Sequence, residues 1–374
     1  MKFLLFITIA LSVFALLNLY IWKRFIQKIH LKKSYKNIFL FFLVINFIAI
    51  LLYMYSRYNP IFPNFLFFLF SLSIGVIFVF FVVTIFYDIS HFILEKSKID
   101  ENRRLFFKKS LDISAIFVGL GLVSKSIYNA TFVEIEKVSV KIENLKKSYT
   151  IVQLSDIHIG GLIDEKSVDE IVKKSNIFQP DIVVITGDLV DIKLQFALPI
   201  LEKLKNLTTQ YGTYFVVGNH EYIHGVAEII EVVEKLGIKV LENESVYIGE
   251  SGYGFNLSGV YDVMGYRMDT FKPDIKKALQ NRELDSPTIL LAHQPKFMKE
   301  VKEEDGVDLV LSGHTHGGQI YPFHLLVGLD QPYVAGLYQH NLKTQIYVNK
   351  GTGFWGPPMR LGTSCEITVL ELRG

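Results

Sequence analysis

Five short stretches of this 374-residue chain carry the residue types that hold divalent cations. They are Asp156 with His158, Asp188 with Asp191, Asn219 with His220 and Glu221, His293 alone, and His314 with His316. Of these, two or three carboxylates, one amide and four or five imidazoles are available as ligands. Such a mixed oxygen and nitrogen set suits Mn²⁺, Fe²⁺ or Zn²⁺, whereas an all-oxygen shell suits Mg²⁺ or Ca²⁺. Seven candidate ligands (Asp156, His158, Asp188, Asn219, His293, His314 and His316) exceed what one ion with an open coordination position can take. They fit two ions that share one carboxylate. Two ions about 3.5–4 Å apart clamp a phosphate, acidify a bridging water and stabilise both the entering and the leaving oxygen. Singly the stretches are weak: a lone histidine is usually a core residue, and Gly-Asp often marks a turn. Their joint occurrence in this order carries the reading. His224, His324 and His340 lack such a setting and read as ordinary loop residues.

The stretches need elements that bring them together. Thr150–Leu154, 181–186, Thr213–Val217, 288–292 and 308–312 are short apolar or β-branched runs that predict strands, and each is followed by one of the five stretches. Glu165–Phe178, Leu194–Leu204 and Val226–Leu236 have helical spacing. Alternating buried strands and amphipathic helices predict a layered α/β domain over 149–374. In such sheets ligands bind beyond the carboxyl ends of the strands, so the five loops converge on one crevice. Residues 126–148 read as a linker and opening strand. The lone Cys365 excludes a disulfide framework and cysteine-rich metal sites, which leaves histidine and oxygen ligands. With 39 basic and 37 acidic residues the chain has no basic footprint, and nucleic-acid binding is not expected. An apolar share of 50% excludes intrinsic disorder.

The apolar excess sits in residues 1–125. Phe3–Trp22 and Asn37–Ser56 are each 20 residues without a charge, and Tyr58–Tyr87 is 30, broken near its start by Pro60 and Pro63. About 20 apolar residues cross the hydrocarbon as helix. The runs predict transmembrane helices over about 3–22, 37–56 and 65–87. A fourth candidate, about 111–125, centres on Ile113–Ser124, only 12 apolar residues between Asp112 and Lys125. Arg103-Arg104 before it reads equally as an export signal or as an ordinary cytoplasmic loop. Loops 23–37 and 88–110 each carry six Lys/Arg, against one in 57–64. Positive loops stay inside, so the amino terminus is outside. The carboxyl-terminal domain is then extracytoplasmic if the fourth segment spans and cytoplasmic if it does not. Few helices and no intramembrane charge pair argue against a transporter.

The quoted motifs, with Gly-His-Thr-His-Gly-Gly-Gln-Ile and the Gly/Pro-rich run Asn349–Gly362, are similar to the signature of the calcineurin-like metallophosphoesterases. The likeness covers roughly 149–371 and points to the membrane-associated bacterial branch; Ala292 stands where many members have glycine. The resemblance implies a two-sheet sandwich flanked by helices, here preceded by an α-helical transmembrane region. It implies one ion on Asp156, His158, Asp188 and His316, and a second on Asp188, Asn219, His293 and His314, with Asp188 bridging. It gives His220 the role of protonating or stabilising the leaving group, and Asp191 that of orienting His220. The expected cofactors are two divalent ions (Mn, Fe or Zn). The expected reaction is attack by a metal-bridging hydroxide on a phosphodiester, pyrophosphate or phosphomonoester. The expected partners are the membrane and a phosphorylated small molecule or a lipid-linked substrate. The competing readings are a broad phosphomonoesterase or nucleotide phosphodiesterase, and a non-catalytic membrane receptor with a vestigial site. Phe354 and Trp355 read first as core packing in a Gly/Pro turn, and second as contacts for an acyl chain.

Overall fold

The structure is a computed structural model that describes residues 2–57 and 61–374. Residues 58–60, at the head of the third apolar run, lie outside the described residues. The chain divides into two compact units: Met1–Tyr128 with Gly356–Met359, and Asn129–Trp355 with Arg360–Gly374.

The first unit holds α1 (Lys2–Ile21), α2 (Lys33–Ser56), α3 (Asn64–Lys96) and all but the last three residues of α4 (Glu101–Thr131). Among the described residues, four helices are thus long and apolar enough to cross a membrane. A helix satisfies every interior backbone group within itself, which is why apolar runs of this length take that form. The helices outrun the apolar stretches that predict them. The twelve-residue stretch before Lys125 is the middle of α4, a 31-residue helix without proline, and Arg103 and Arg104 stand in its first turn rather than in a loop. The helices also carry polar pairs that the sequence reading missed. Asp88 of α3 pairs with Arg24 and, at 2.7 Å, with Lys28. Asp112 of α4 accepts from the His30 backbone N–H (2.8 Å) and the Tyr87 hydroxyl (2.8 Å), and lies 2.7 Å from His30 Nδ1. These partners are 25 to 82 residues apart, so no local pattern reveals them.

The second unit has twelve strands: β1 (Val133–Lys141), β2 (Tyr149–Leu154), β3 (Ile182–Thr186), β4 (Thr213–Val216), β5 (Lys239–Val240), β6 (Glu244–Ile248), β7 (Phe255–Gly259), β8 (Thr288–Leu291), β9 (Leu309–Ser312), β10 (Gly336–Gln339), β11 (Gln345–Val348) and β12 (Cys365–Arg373). They form two mixed sheets, ordered β1-β12-β2-β3-β4-β5 and β10-β11-β9-β8-β7-β6. The connecting helices are α5 (Glu165–Asn176), α6 (Leu194–Leu201), α7 (Asn219–His224), α8 (Val226–Lys235), α9 (Met264–Met268), α10 (Ile275–Leu279) and α11 (His324–Asp330).

Side chains alternate across a strand, so each central strand feeds two cores. Ile151, Ile182, Leu257, Leu291 and Leu311 pack between the sheets. Val152, Val183 and Phe215 face outward against Ile171, Leu201 and Val233 of α5, α6 and α8. Leu290, Val310 and Ile346 face the other way, against Leu279, Phe297 and Met298. The result is the expected sandwich with helices on both outer faces. Burying each such side chain contributes about 1.5–3 kcal/mol. That holds the strand ends firmly enough to support loops that are themselves unfavourable.

Candidate metal centre

The backbone continues its pairing past the carboxyl ends of β2 and β3. Asp156 N–H donates to Gly187 O (3.0 Å), His158 N–H to Asp188 O (3.0 Å) and Ile159 N–H to Leu189 O (2.8 Å). Asp156 and Asp188 are thereby fixed side by side. From the other sheet, Gly313 N–H donates to His293 O (2.9 Å), and His314 N–H reaches Asp156 Oδ2 (2.8 Å). Close approach requires glycine at two points. A Cβ on Gly218 would lie 2.3 Å from Asp188 Oδ1, and one on Gly187, at φ +88°, would lie 2.5 Å from His293 Nδ1.

Five of the candidate ligands take left-handed backbone: Asp156, His158 and Asp188 at φ 51–52°, His314 at 69° and His316 at 51°. Each costs roughly 1–2 kcal/mol for an L-residue, and Asp, Asn and His visit this region most readily. Backbone strain of this kind clusters at functional sites.

The loops bring the candidates into two sets whose ligand atoms lie within 4.8 Å of one another: Asp156, His158 and His316, and Asp188, His293 and His314. In the first set, His158 Nε2 and His316 Nε2 are 3.1 Å apart. His316 Nε2 is also 3.5 Å from Asp156 Oδ1. In the second, His293 Nε2 is 3.3 Å from Asp188 Oδ2 and 3.2 Å from Asn219 Oδ1. Asp188 Oδ2 also lies 3.9 Å from His158 Nε2, which puts this carboxylate between the sets. A third grouping, His158, Asp191 and His220, adjoins them.

The donor chemistry fits cations. Asp156 Oδ2 accepts from Ser155 Oγ (2.5 Å) and His314 N–H, while Oδ1 is buried without a hydrogen-bond partner. His293 Nδ1 lies 2.7 Å from the Thr186 carbonyl and must donate to it. That turns Nε2 toward two oxygen acceptors, Asp188 and Asn219. Burial pushes Asp156 up to about 6, against the pull of His293. Burial also opposes ionisation of Asp188, but the imidazoles of His293 and His220 outweigh it and hold that carboxyl well below the usual range. Burial lowers His314 and His316 strongly, so both offer neutral ring nitrogens.

His220 and Asp191 stand beside the sets. His220 Nδ1 is 2.6 Å from Asp191 Oδ1, and its Nε2 is 3.9 Å from Asp188 Oδ2. His224 departs from its reading as a loop residue. It ends α7 with its imidazole buried, and its Nε2 is 3.6 Å from Asp191 Oδ1, because a helical turn brings it back beneath His220. His324 lies in α11 against Tyr321, and His340 meets the Tyr333 hydroxyl at 2.9 Å. Phe354 packs against the outer core of the first sheet. Trp355 does not: it is half-exposed, with its ring 6.1 Å from that of His220.

Three supporting residues escaped the sequence reading. Glu221 is fully buried and accepts four backbone N–H groups: Gly218 (2.7 Å) and Asp188 (3.0 Å) on one oxygen, Leu189 (2.8 Å) and Val190 (3.2 Å) on the other. The motif contains Glu221, but spacing gives it no role. Arg360, also fully buried, donates to the carbonyls of His316 (2.6 Å), Lys350 (2.7 Å) and Gly353, tying the Gly/Pro-rich run to the loop of His316. Asp262 follows β7 as the other acids follow their strands, and it accepts from Gln294 (2.8 Å), the neighbour of His293. The carboxyl-end rule points to it only once β7 is recognised as a strand. Glu221→Gln keeps one acceptor oxygen and turns an amide N–H toward the remaining donors. Each donor left without an acceptor costs about 1–3 kcal/mol. Urea unfolding of the full chain is expected to show that loss, with metal affinity down roughly 10- to 100-fold.

Two mixed sheets thus carry, on converging loops, clusters of residues that could hold divalent cations. Residues 149–318 match the model of the calcineurin-like phosphoesterase family. The chain is 40% identical over 364 residues to an uncharacterized metallophosphoesterase of Helicobacter pylori, covering 97% of this chain and 96% of that one. It is 36% identical to one from Campylobacter jejuni over the full length of both chains. It is also 36% identical to a transmembrane protein with metallophosphoesterase domain from Bos taurus, covering 74% of this chain and 64% of that one. The chain belongs to the calcineurin-like phosphoesterases, a family of dinuclear metal-dependent phosphoester hydrolases.

Proposed function

We propose that the protein is a membrane-anchored phosphohydrolase. One cation site is formed by Asp156, His158, Asp188 and His316, and the other by Asp188, Asn219, His293 and His314. The observation that carries this reading is the convergence of two ligand sets on Asp188, from loops at the ends of both sheets. Bound divalent cations supply Lewis-acid charge to a phosphoryl group and make a water acidic enough to react near neutrality. The chain's own residues do the rest. Asp191 accepts a hydrogen bond from His220 Nδ1–H and fixes that ring with Nε2 toward the cluster. His220 Nε2–H then hands its proton to the departing oxygen, which makes a poor leaving group a better one. The half-exposed Trp355 borders this histidine, with ring centroids 6.1 Å apart.

The anchor is the four-helix unit. With α4 spanning, the loop charges put the amino terminus and the catalytic unit on the outer face of the membrane. A phosphodiester, pyrophosphate or phosphomonoester of a lipid-linked molecule is the substrate class favoured by a site tethered there. Purified full-length protein with Mn²⁺ is expected to bind about two equivalents and to hydrolyse bis(p-nitrophenyl) phosphate. Less than about one equivalent bound, or no turnover of diester, monoester and pyrophosphate probes alike, overturns the proposal.

A further inference from the structure

Helix α11 buries none of its residues. Leu325, Leu326 and Leu329 are 63, 57 and 83% exposed, and Tyr321 just before the helix is 40% exposed. Each leucine held in water forgoes about 1.5–3 kcal/mol that burial would contribute. These side chains therefore do not serve the core of their own domain, and exposed apolar patches mark interaction surfaces. The helix is fixed to the metal centre. Gly318, two residues after His316, lies so close to His324 that an added Cβ would be 2.3 Å from that residue's Cβ. His324 in turn stacks on Tyr321 with ring centroids 3.9 Å apart. The next residue, Gln319, holds the Trp355 backbone from both sides: its Nε2 donates to Trp355 O (2.7 Å), and its Oε1 accepts from Trp355 N–H (3.0 Å). The loop of His316 is thus continuous with an apolar, aromatic rim.

We propose that α11 inserts into the bilayer surface. Leu325, Leu326 and Leu329 would enter the acyl boundary, and the metal centre would be held at the depth of the lipid headgroups. This rests on the membrane-anchored phosphohydrolase reading and narrows its substrate to a phosphate group carried on a lipid. Three observations favour the bilayer as occupant. The described residues include four helices apolar enough to span. Only Phe132 separates α4 from β1, so the first strand of the second unit follows a candidate span directly along the chain. The one acid on α11, Asp330, is paired with Lys296 at 3.2 Å, leaving no uncompensated negative charge to oppose anionic headgroups. Tethering makes even weak insertion effective, because the second contact forms within one molecule. Short apolar helices flanked by Trp and Tyr suit the interfacial zone.

The test uses full-length protein in vesicles of phosphatidylethanolamine and phosphatidylglycerol. Leu329→Cys and, as reference, Leu284→Cys are each labelled with an environment-sensitive fluorophore. Leu284 is 84% exposed in the loop leading into β8, at the opposite end of the strands from the metal centre. The Leu329 label is expected to shift to the blue and to be quenched by lipids carrying a spin label on the acyl chain, while the Leu284 label does neither. In the triple variant Leu325→Ser, Leu326→Ser, Leu329→Ser, one ratio is read: turnover of hexadecyl p-nitrophenyl phosphate in the vesicles over that of bis(p-nitrophenyl) phosphate in solution. It is expected to fall at least about tenfold, which corresponds to about 1.4 kcal/mol. A Leu329 label as wet as the reference, an unchanged ratio, or disulfide capture of a second copy through Leu329→Cys overturns the insertion of α11. Release of the chain by alkaline carbonate instead sinks the anchor, and failure on both esters sinks the phosphohydrolase. The three failures are therefore distinguishable.

Discussion

Asp188→Asn is expected to leave less than about one metal equivalent per chain and to cut turnover by at least about a thousandfold. Asp188 lies between the two ligand sets, with Oδ2 3.3 Å from His293 Nε2 and 3.9 Å from His158 Nε2. The substitution removes a negative charge that lies within 4 Å of imidazoles from both sets, in a buried setting where little water compensates. It spares the backbone, because asparagine accepts the left-handed conformation that Asp188 adopts. The remaining carbonyl still accepts the His220 N–H, which reaches Asp188 Oδ1 at 2.8 Å. The fold should survive while the centre fails. Elemental analysis after gel filtration in Mn²⁺, alongside the rate on bis(p-nitrophenyl) phosphate, checks both halves. Full metal content at a normal rate would contradict the bridging position.

His220→Ala separates the other way. Alanine keeps the backbone N–H that donates to Asp188, so metal content should stay at the wild-type level. What is lost is the imidazole held by Asp191 at 2.6 Å. Removing a positioned general acid costs about 10²–10⁴ in rate. The loss should depend on the ester: greatest for an alkyl leaving group, which needs a proton, and least for p-nitrophenolate, which departs without one. Asp191→Asn should move rates in the same direction by a smaller factor. Equal losses across leaving groups would assign His220 to binding rather than to proton transfer.

The candidate centre is legible in the sequence because its chemistry demands scarce residue types just past each strand. Asp156, Asp188, Asn219, His293 and His314 stand out against the apolar runs that precede them. The supports do not. Glu221 acts on backbone amides, and Arg360 mainly on backbone carbonyls, which leave no trace in residue type at the other end of the bond. Arg360 Nη2 also lies 2.9 Å from His316 Nδ1, a pairing 44 residues apart that no local pattern reveals. Strand β7 was invisible for a related reason. Phe255–Gly259 has only two apolar side chains, and its buried Asn256 is satisfied by the carbonyl and N–H of Glu283 at 2.8 Å each, 27 residues away. Asp112 and Lys125 bound the apolar stretch of α4, so the helix reads short in the sequence. In the fold Asp112 is buried against His30 and Tyr87, so its charge does not end the helix.

The left-handed turns at Asp156, His158, Asp188, His314 and His316 restrict what can replace these residues. A substitute must both coordinate and tolerate a backbone that β-branched and bulky side chains resist. Glutamate or cysteine could still ligate, yet would fit the turns poorly. The vocabulary at these positions therefore shrinks to Asp, Asn and His. Laboratory evolution toward a different metal should consequently find its adaptive changes in the surrounding shell, among residues such as Ser155 and Gln294, before it alters the ligands themselves.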